Sequence, residues 1–127
     1  MRARSEFTQG FVGAGDETFN FIAKCWNVSH ARAILAEEPR DGGQYPLVNV
    51  RPFIGAIRDE GKEAIETADL DEPILLVAVP FEEEGDKGHY LFPIDGWHRI
   101  KKAIGLGLKE IPGVALTLEE SEEATLL

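Results

Sequence analysis

The segment that most constrains the fold is residues 90–106, where a strand pattern passes through one glycine into a helix pattern. Residues 90–94 form an aromatic and apolar run that is typical of a β-strand. Beyond Gly96, four apolar positions share one helical face: Trp97, Ile100, Ala103 and Ile104. Gly107 is expected to end this helix. The pattern therefore predicts a helix that begins directly at the end of a strand.

The first turn of the predicted helix carries residues that suit an anion. A helix start has unpaired backbone N–H groups and a partial positive charge. Gly96 has no side chain to block a ligand, and His98 and Arg99 can add hydrogen-bond donors. The pattern indicates a phosphate site. The alternative is a simple turn glycine followed by packed or solvated side chains, with Arg99 paired to a carboxylate such as Asp95.

Two neighbours of the glycine have more than one interpretation. Asp95 could accept a proton, hold Mg²⁺ or cap the helix, and capping is the favoured role at such a position. Trp97 could stack on a base or a sugar, although core packing is expected more often. Asp95 and His98 are the candidate catalytic residues. The candidate ligand-binding residues are Gly96, Trp97, His98 and Arg99.

The charge of the chain argues against nucleic acid as a partner. Thirteen basic residues against 23 acidic ones give a net charge of −10, which repels a polyanion. The acidic runs at residues 82–84 and 119–123 are expected to be solvated, not metal sites. A local basic exception is formed by His98, Arg99, Lys101 and Lys102. A single cysteine, Cys25, excludes an internal disulfide and fits the reducing cytoplasm.

The length of 127 residues fits one compact domain, with residues 1–16 as a loose leader and 17–127 as the folded part. A first strand is predicted over residues 18–25, and a helix capped by Asn27 or Ser29 follows and ends at Pro39.

In the middle of the chain, the sequence predicts a polar loop over residues 40–44 and a short strand over residues 47–50. A helix starting at Pro52 is interrupted at Gly61. The apolar residues 74–79 predict a central strand covered on both faces.

The last third of the chain completes the pattern. Residues 82–88 read as a charged loop and residues 114–116 as a strand, and Thr117 with Glu120 has capping-box spacing for a final helix. The fold class is α+β, with helices packed on one side of a mixed sheet rather than a doubly wound fold.

Residues 94–115 resemble the phosphate-binding region of the ParB/sulfiredoxin superfamily. The shared pattern is a strand ending in Asp-Gly, then x-(His/Arg)-Arg, a small helical residue, and Gly-Leu-x-x-(Ile/Val)-Pro before another strand. Residues 72–77 resemble the family's Gln-Pro-Ile-x-Val strand. The resemblance implies a ParB/sulfiredoxin-like fold and a nucleoside triphosphate such as ATP or CTP, with Mg²⁺, as the ligand.

The resemblance also separates member classes. Trp97 stands where sulfiredoxins have their catalytic cysteine, so sulfinic-acid reduction is not expected. After this region the chain has no room for the helix-turn-helix domain with which partition ParB proteins read DNA.

The leading hypothesis is a stand-alone ParB-like domain that binds a nucleotide or another phosphorylated ligand, with or without phosphoryl transfer or hydrolysis. The alternative is a non-catalytic interaction module whose acidic surface faces a basic partner. A nuclease is least compatible with the charge. His30 and His89 have no evident partner in sequence and are assigned surface or packing roles.

Overall fold

The structure is a computed structural model that describes residues 16–21, 24–56 and 62–126. Within these ranges, turn residues and hydrophobic runs divide the chain into short elements. The strands within these ranges are β1 (Thr18–Phe21), β2 (Lys24–Asn27), β3 (Gly43–Pro46), β4 (Ile74–Glu83), β5 (Asp86–Asp95) and β6 (Glu110–Ala115). The α-helices are α1 (Val28–Glu37), α2 (Lys62–Glu66), α3 (Trp97–Gly105) and α4 (Leu118–Ala124). Two 3₁₀ helices, Leu47–Asn49 and Arg51–Ala56, follow β3. The predicted α+β class is confirmed.

The main sheet is mixed and has the strand order β3-β6-β4-β5. β4 runs antiparallel to β5 and parallel to β6, and β3 runs antiparallel to β6. Residues 74–79 of β4 are all buried, which confirms the predicted central strand. β1 and β2 form a separate antiparallel pair.

The sheet curls so that its two outer strands approach each other. The Tyr45 hydroxyl on β3 donates to the Leu91 carbonyl oxygen on β5, at 2.9 Å. Because β3 and β5 are separated in the sheet by two strands, about 14 Å of flat sheet, one tyrosine can link them only across a concave face. An aromatic cluster lies beside this link: Phe19, Trp26, Phe53, Phe92 and Trp97.

Local capping signals predicted several helix ends. The Asn27 side chain caps α1 by accepting from the His30 N–H. Thr117 and Glu120 form the predicted capping box of α4. Gly107 has a φ of 79° and ends α3 as predicted, with the Leu108 N–H donating back to the Ala103 carbonyl.

Three predicted elements were wrong. Residues 18–25 are not one strand, because the chain reverses between β1 and β2; residues 22–23 lie outside the described part. Residues 47–50 are 3₁₀ helix and turn, and the strand comes earlier, in β3, where the cross-strand ladder to β6 lies. The expected loop at 82–88 is mostly strand around a turn at Glu84 and Gly85.

The predicted leader, residues 1–16, lies outside the described residues except for Asp16. In the described ranges, no helix combines the length and the apolar character needed to cross a membrane.

Candidate functional site

The turn between β5 and α3 is fixed by a glycine that nothing else can replace. Gly96 has a φ of 99°, in the left-handed region, and a Cβ there would lie 2.5 Å from Ile74 Cγ2 and 3.1 Å from Arg99 Cζ. Leu75 pairs with Asp95 and Leu76 with Pro93, so β5 has one extra residue just before the turn. Gly96 therefore meets a packing requirement as well as a backbone requirement.

Asp95 does not cap α3, and the expectation that it does was wrong. The N-cap is Gly96, which has no capping side chain. The Asp95 carboxylate instead accepts from Arg32, with its Oδ2 at 2.8 Å from Nη2 and 3.2 Å from Nε. Arg32 also binds both carboxylate oxygens of Glu17, at 3.0 and 3.1 Å. Sequence reasoning missed Arg32, because it lies 63 positions from Asp95 and on another element.

The Arg99 side chain contacts the two residues just before β4. Its Nη1 donates to the carbonyl oxygens of Glu72, at 2.9 Å, and Pro73, at 2.7 Å. Its Nη2 lies 3.9 Å from Asp95 Oδ2, and the side chain is only 11% exposed. This guanidinium ties the first turn of α3 to the strand that lies beneath it. The placement favours the structural alternative for Arg99 over direct ligand contact.

The other members of the basic cluster are Lys102, which links two helices, and His98 and Lys101, which are partly exposed. The Lys102 ammonium donates to the carbonyl oxygens of Glu66 and Ala68 and so ties α3 to the end of α2. His98, in the first turn of α3, and Lys101 are half-buried. His98 is therefore a partly accessible side chain in the first turn.

Trp97 lies in the core, as favoured from the sequence. Its side chain is 7% exposed and stacks on Phe19, with ring centroids 6.1 Å apart. Its indole Nε1–H donates to the Pro93 carbonyl oxygen at 3.0 Å. Because the ring is enclosed by the aromatic cluster, Trp97 stabilises the turn from below.

The electrostatics of the turn are balanced. The cations Arg32 and Arg99 face the carboxylates Asp95 and Glu17, so these four groups sum to zero charge. An anion at this turn would depend on the helix start and on His98 more than on a positive cradle. Among the described side chains, no group of three or more His, Cys, Asp or Glu is placed to hold a metal ion. Asp95 fits Mg²⁺ only as a single carboxylate ligand beside ligand phosphates.

A second set of charged contacts anchors α4. Arg40 Nη2 donates to Glu120 Oε2 at 2.8 Å, and this contact is the main cause that lowers the pKa of Glu120 to about 2. His30 Nε2 lies 2.7 Å from Glu123 Oε2, so His30 has a partner that the sequence did not reveal. The expectation that all of residues 119–123 are solvated was wrong, because Glu120 and Glu123 are buried.

Two other residues considered from the sequence, Cys25 and His89, lie on β2 and β5, outside the turn. Cys25 is buried in β2, and burial raises the pKa of its thiol, which fits a small packed side chain. His89 is exposed on β5.

A large cavity lies apart from the turn. It has a volume of about 870 Å³ and is bounded by β2, the sheet and the second 3₁₀ helix. Its aromatic lining residues are Trp26, Tyr45, Phe53, Tyr90 and Phe92. None of residues 94–99 is among its lining residues. The predicted site and this cavity are therefore two different places.

Comparisons of the chain with models of protein families, with curated proteins and with solved structures find no match. The resemblance to the ParB/sulfiredoxin superfamily consequently depends on the motif of residues 94–115 and on residues 72–77.

Proposed function

We propose that this domain, as a ParB/sulfiredoxin-like protein, binds a nucleotide or another phosphorylated ligand at the start of α3. The observation that carries the proposal is the fixed strand–glycine–helix turn. Gly96 is held against Ile74 in a left-handed conformation, and α3 begins at the next residue. A helix start held in place in this way can bind phosphate oxygens through backbone N–H groups without rearrangement.

The contacts of the turn assign separate roles to its residues. His98 is the side chain that reaches the ligand, because it is half-exposed in the first turn of α3. Arg99 is a positioning residue, because its hydrogen bonds hold the turn on β4. Asp95 and Arg32 form the rim of the site and keep its local charge near neutral.

Binding without turnover is the simpler activity for this geometry. Phosphoryl transfer or hydrolysis would need Asp95 to hold Mg²⁺ or to accept a proton, and Arg32 already donates twice to its Oδ2. The balanced charge also favours a ligand whose own charge is partly neutralised by Mg²⁺.

The test is calorimetric titration with ATP, CTP and inorganic phosphate, each with and without Mg²⁺. We expect saturable binding that falls by about tenfold in His98→Ala, the loss typical of one charge-assisted contact. His89→Ala is the matched control, because His89 is exposed on β5 outside the turn. Equal affinity of the His98 variant and the wild type would remove His98 from the site.

A second candidate function is an interaction module for a basic partner, and the β4–β5 hairpin favours it. Phe81 and Tyr90 are 44% and 51% exposed, with ring centroids 6.4 Å apart. The acidic residues Glu82, Glu83 and Glu84 continue this exposed surface to the tip. An exposed aromatic pair beside acidic side chains suits a cationic peptide.

Fluorescence anisotropy with a labelled lysine- and arginine-rich peptide tests the second candidate. Neutralising the hairpin with Glu82→Gln, Glu83→Gln and Glu84→Gln should weaken binding. Neutralising the exposed Glu110, Glu119 and Glu122, which removes the same number of charges elsewhere, is the matched control. Equal losses in the two variants would show that only net charge matters and would reject the hairpin as the surface.

A further inference from the structure

The cavity described above has the size and the walls of a small-molecule site. Its volume of about 870 Å³ lies within the range of roughly 300–1,000 Å³ that is usual for ligand pockets. Phe53 on the second 3₁₀ helix and Tyr90 on β5 are the accessible aromatic rings of the lining, and the rings of Trp26, Tyr45 and Phe92, each 3–4% exposed, lie at its base. The Tyr45 hydroxyl already donates to Leu91, so the buried tyrosine needs no polar partner from a ligand.

Gly43 leaves room along one wall, whereas a Cβ on its partner Gly113 would lie 3.0 Å from Leu76 Cδ1. Gly43 on β3 pairs with Gly113 on β6, and both line the cavity. A Cβ on Gly43 would meet no heavy atom within 4 Å, although Gly43 lies on the same strand face as the buried Tyr45. A flat ring can therefore approach the backbone at this position.

The charges of the lining select the class of ligand. Among the residues that the structure describes, the lining contains one cation, Lys24, and one anion, Asp41, and both are exposed. The other polar residues of the lining, Gln44, Tyr45, Asn49 and Tyr90, are uncharged. A charged ligand would lose hydration among aromatic walls without a net opposite charge to replace it.

We propose that this cavity is a binding site for a small, uncharged, planar aromatic molecule. The rings of Phe53 and Tyr90 stack on it, Gly43 accommodates its edge, and the amide of Asn49 contacts its polar atoms. The site is separate from the start of α3, so its ligand is a second ligand of the domain.

The experiment is an NMR titration of the ¹⁵N-labelled full chain with three matched probes: uncharged indole, anionic indole-3-acetate and cationic tryptamine. Indole is expected to shift the side-chain N–H resonance of Trp26 more than that of Trp97, which does not line the cavity. Both charged probes should bind at least about fivefold more weakly. No shift of Trp26 at millimolar indole, or stronger binding of a charged probe, would overturn the proposal.

A cavity-filling variant tests the location. Gly43→Leu should weaken indole binding by at least about tenfold, because the new side chain occupies the volume that the ring needs. Gly105→Leu is the matched control: a Cβ there also meets nothing within 4 Å, and Gly105 lies at the end of α3. Unchanged binding in Gly43→Leu, or equal loss in the two variants, would contradict the assigned cavity. If Gly43→Leu does not fold, the comparison of Trp26 and Trp97 in the wild-type chain still decides the question.

Discussion

At the scale of single residues, the side chains around Gly96 divide into those whose hydrogen bonds hold the turn and His98, which we propose contacts the ligand. Trp97 donates to a carbonyl oxygen of β5, Arg99 donates to two carbonyl oxygens just before β4, and Arg32 holds Asp95. The sequence motif predicted that these donors bind a ligand, but Trp97 and Arg99 donate to backbone carbonyl oxygens of the same chain. His98, another polar side chain of the first turn, is half-buried.

Replacing Arg99 tests this division. Arg99→Ala should lower the free energy of unfolding by about 2 kcal/mol, because two carbonyl oxygens lose a charged donor. Lys109→Ala, at an exposed position, should change it by less than about 0.5 kcal/mol. Urea unfolding measures both variants. A stable Arg99→Ala protein with lost phosphate affinity would restore Arg99 as a direct ligand contact.

Gly96 gives a second prediction at this scale. Gly96→Ala should destabilise the protein by at least about 2 kcal/mol, because it combines a left-handed backbone with a collision against Ile74. Gly105→Ala, at the last residue of α3 with open space for the added Cβ, should instead stabilise by up to about 1 kcal/mol. Thermal unfolding of the pair provides the comparison. A neutral Gly96→Ala would mean that the turn is not held as described.

At the scale of elements, α4 is attached to the rest of the domain by polar contacts in buried surroundings. Arg40 pairs with Glu120, and His30 with Glu123. Ser121 Oγ accepts from the Ala78 N–H of β4 at 2.8 Å. A helix held in this way should respond to acid, because its carboxylates stabilise the fold in their charged form.

The pH dependence follows from Glu120. Its pKa falls from an ordinary value of 4.5 to about 2 on folding, chiefly through the hydrogen bond from Arg40. A lowered pKa gives stability that is complete above pH 4.5 and is lost as the pH falls towards 2, on the order of 2–3 kcal/mol. Urea unfolding from pH 7 to pH 3 should therefore show a steep loss that Glu120→Gln reduces and Glu119→Gln retains. Parallel curves for all three proteins would contradict the assignment.

Elements were predictable where the signal is local, and long-range contacts were not. The start of α3 after Gly96, its end at Gly107 and the capping box of α4 all depend on residues within one or two turns. The partners of Glu120 and Glu123 lie 80 and 93 positions away, so no local pattern contains them. The cavity is likewise made by elements that meet only after folding. The role of Arg99 could not be read from sequence, because the carbonyl groups that it binds belong to residues before β4.

At the scale of the whole molecule, the net charge of −10 sets which polyions can approach. We expect no tight complex with duplex DNA at physiological salt, because phosphate contacts dominate such affinity and this surface opposes them. Gel-shift titration at several salt concentrations measures it. A submicromolar complex that weakens steeply with salt would reverse the expectation and favour a nuclease or partition role.

Amide NMR shows directly whether a phosphorylated ligand binds at the start of α3. The ¹⁵N-labelled chain is titrated with Mg²⁺–ATP and, separately, with inorganic phosphate. We expect saturable chemical-shift changes that centre on the backbone N–H groups of Trp97, His98 and Arg99. The resonances of the cavity residues Trp26 and Gly43 should not change. A folded protein whose residues 97–99 do not respond at millimolar ligand would contradict the claim.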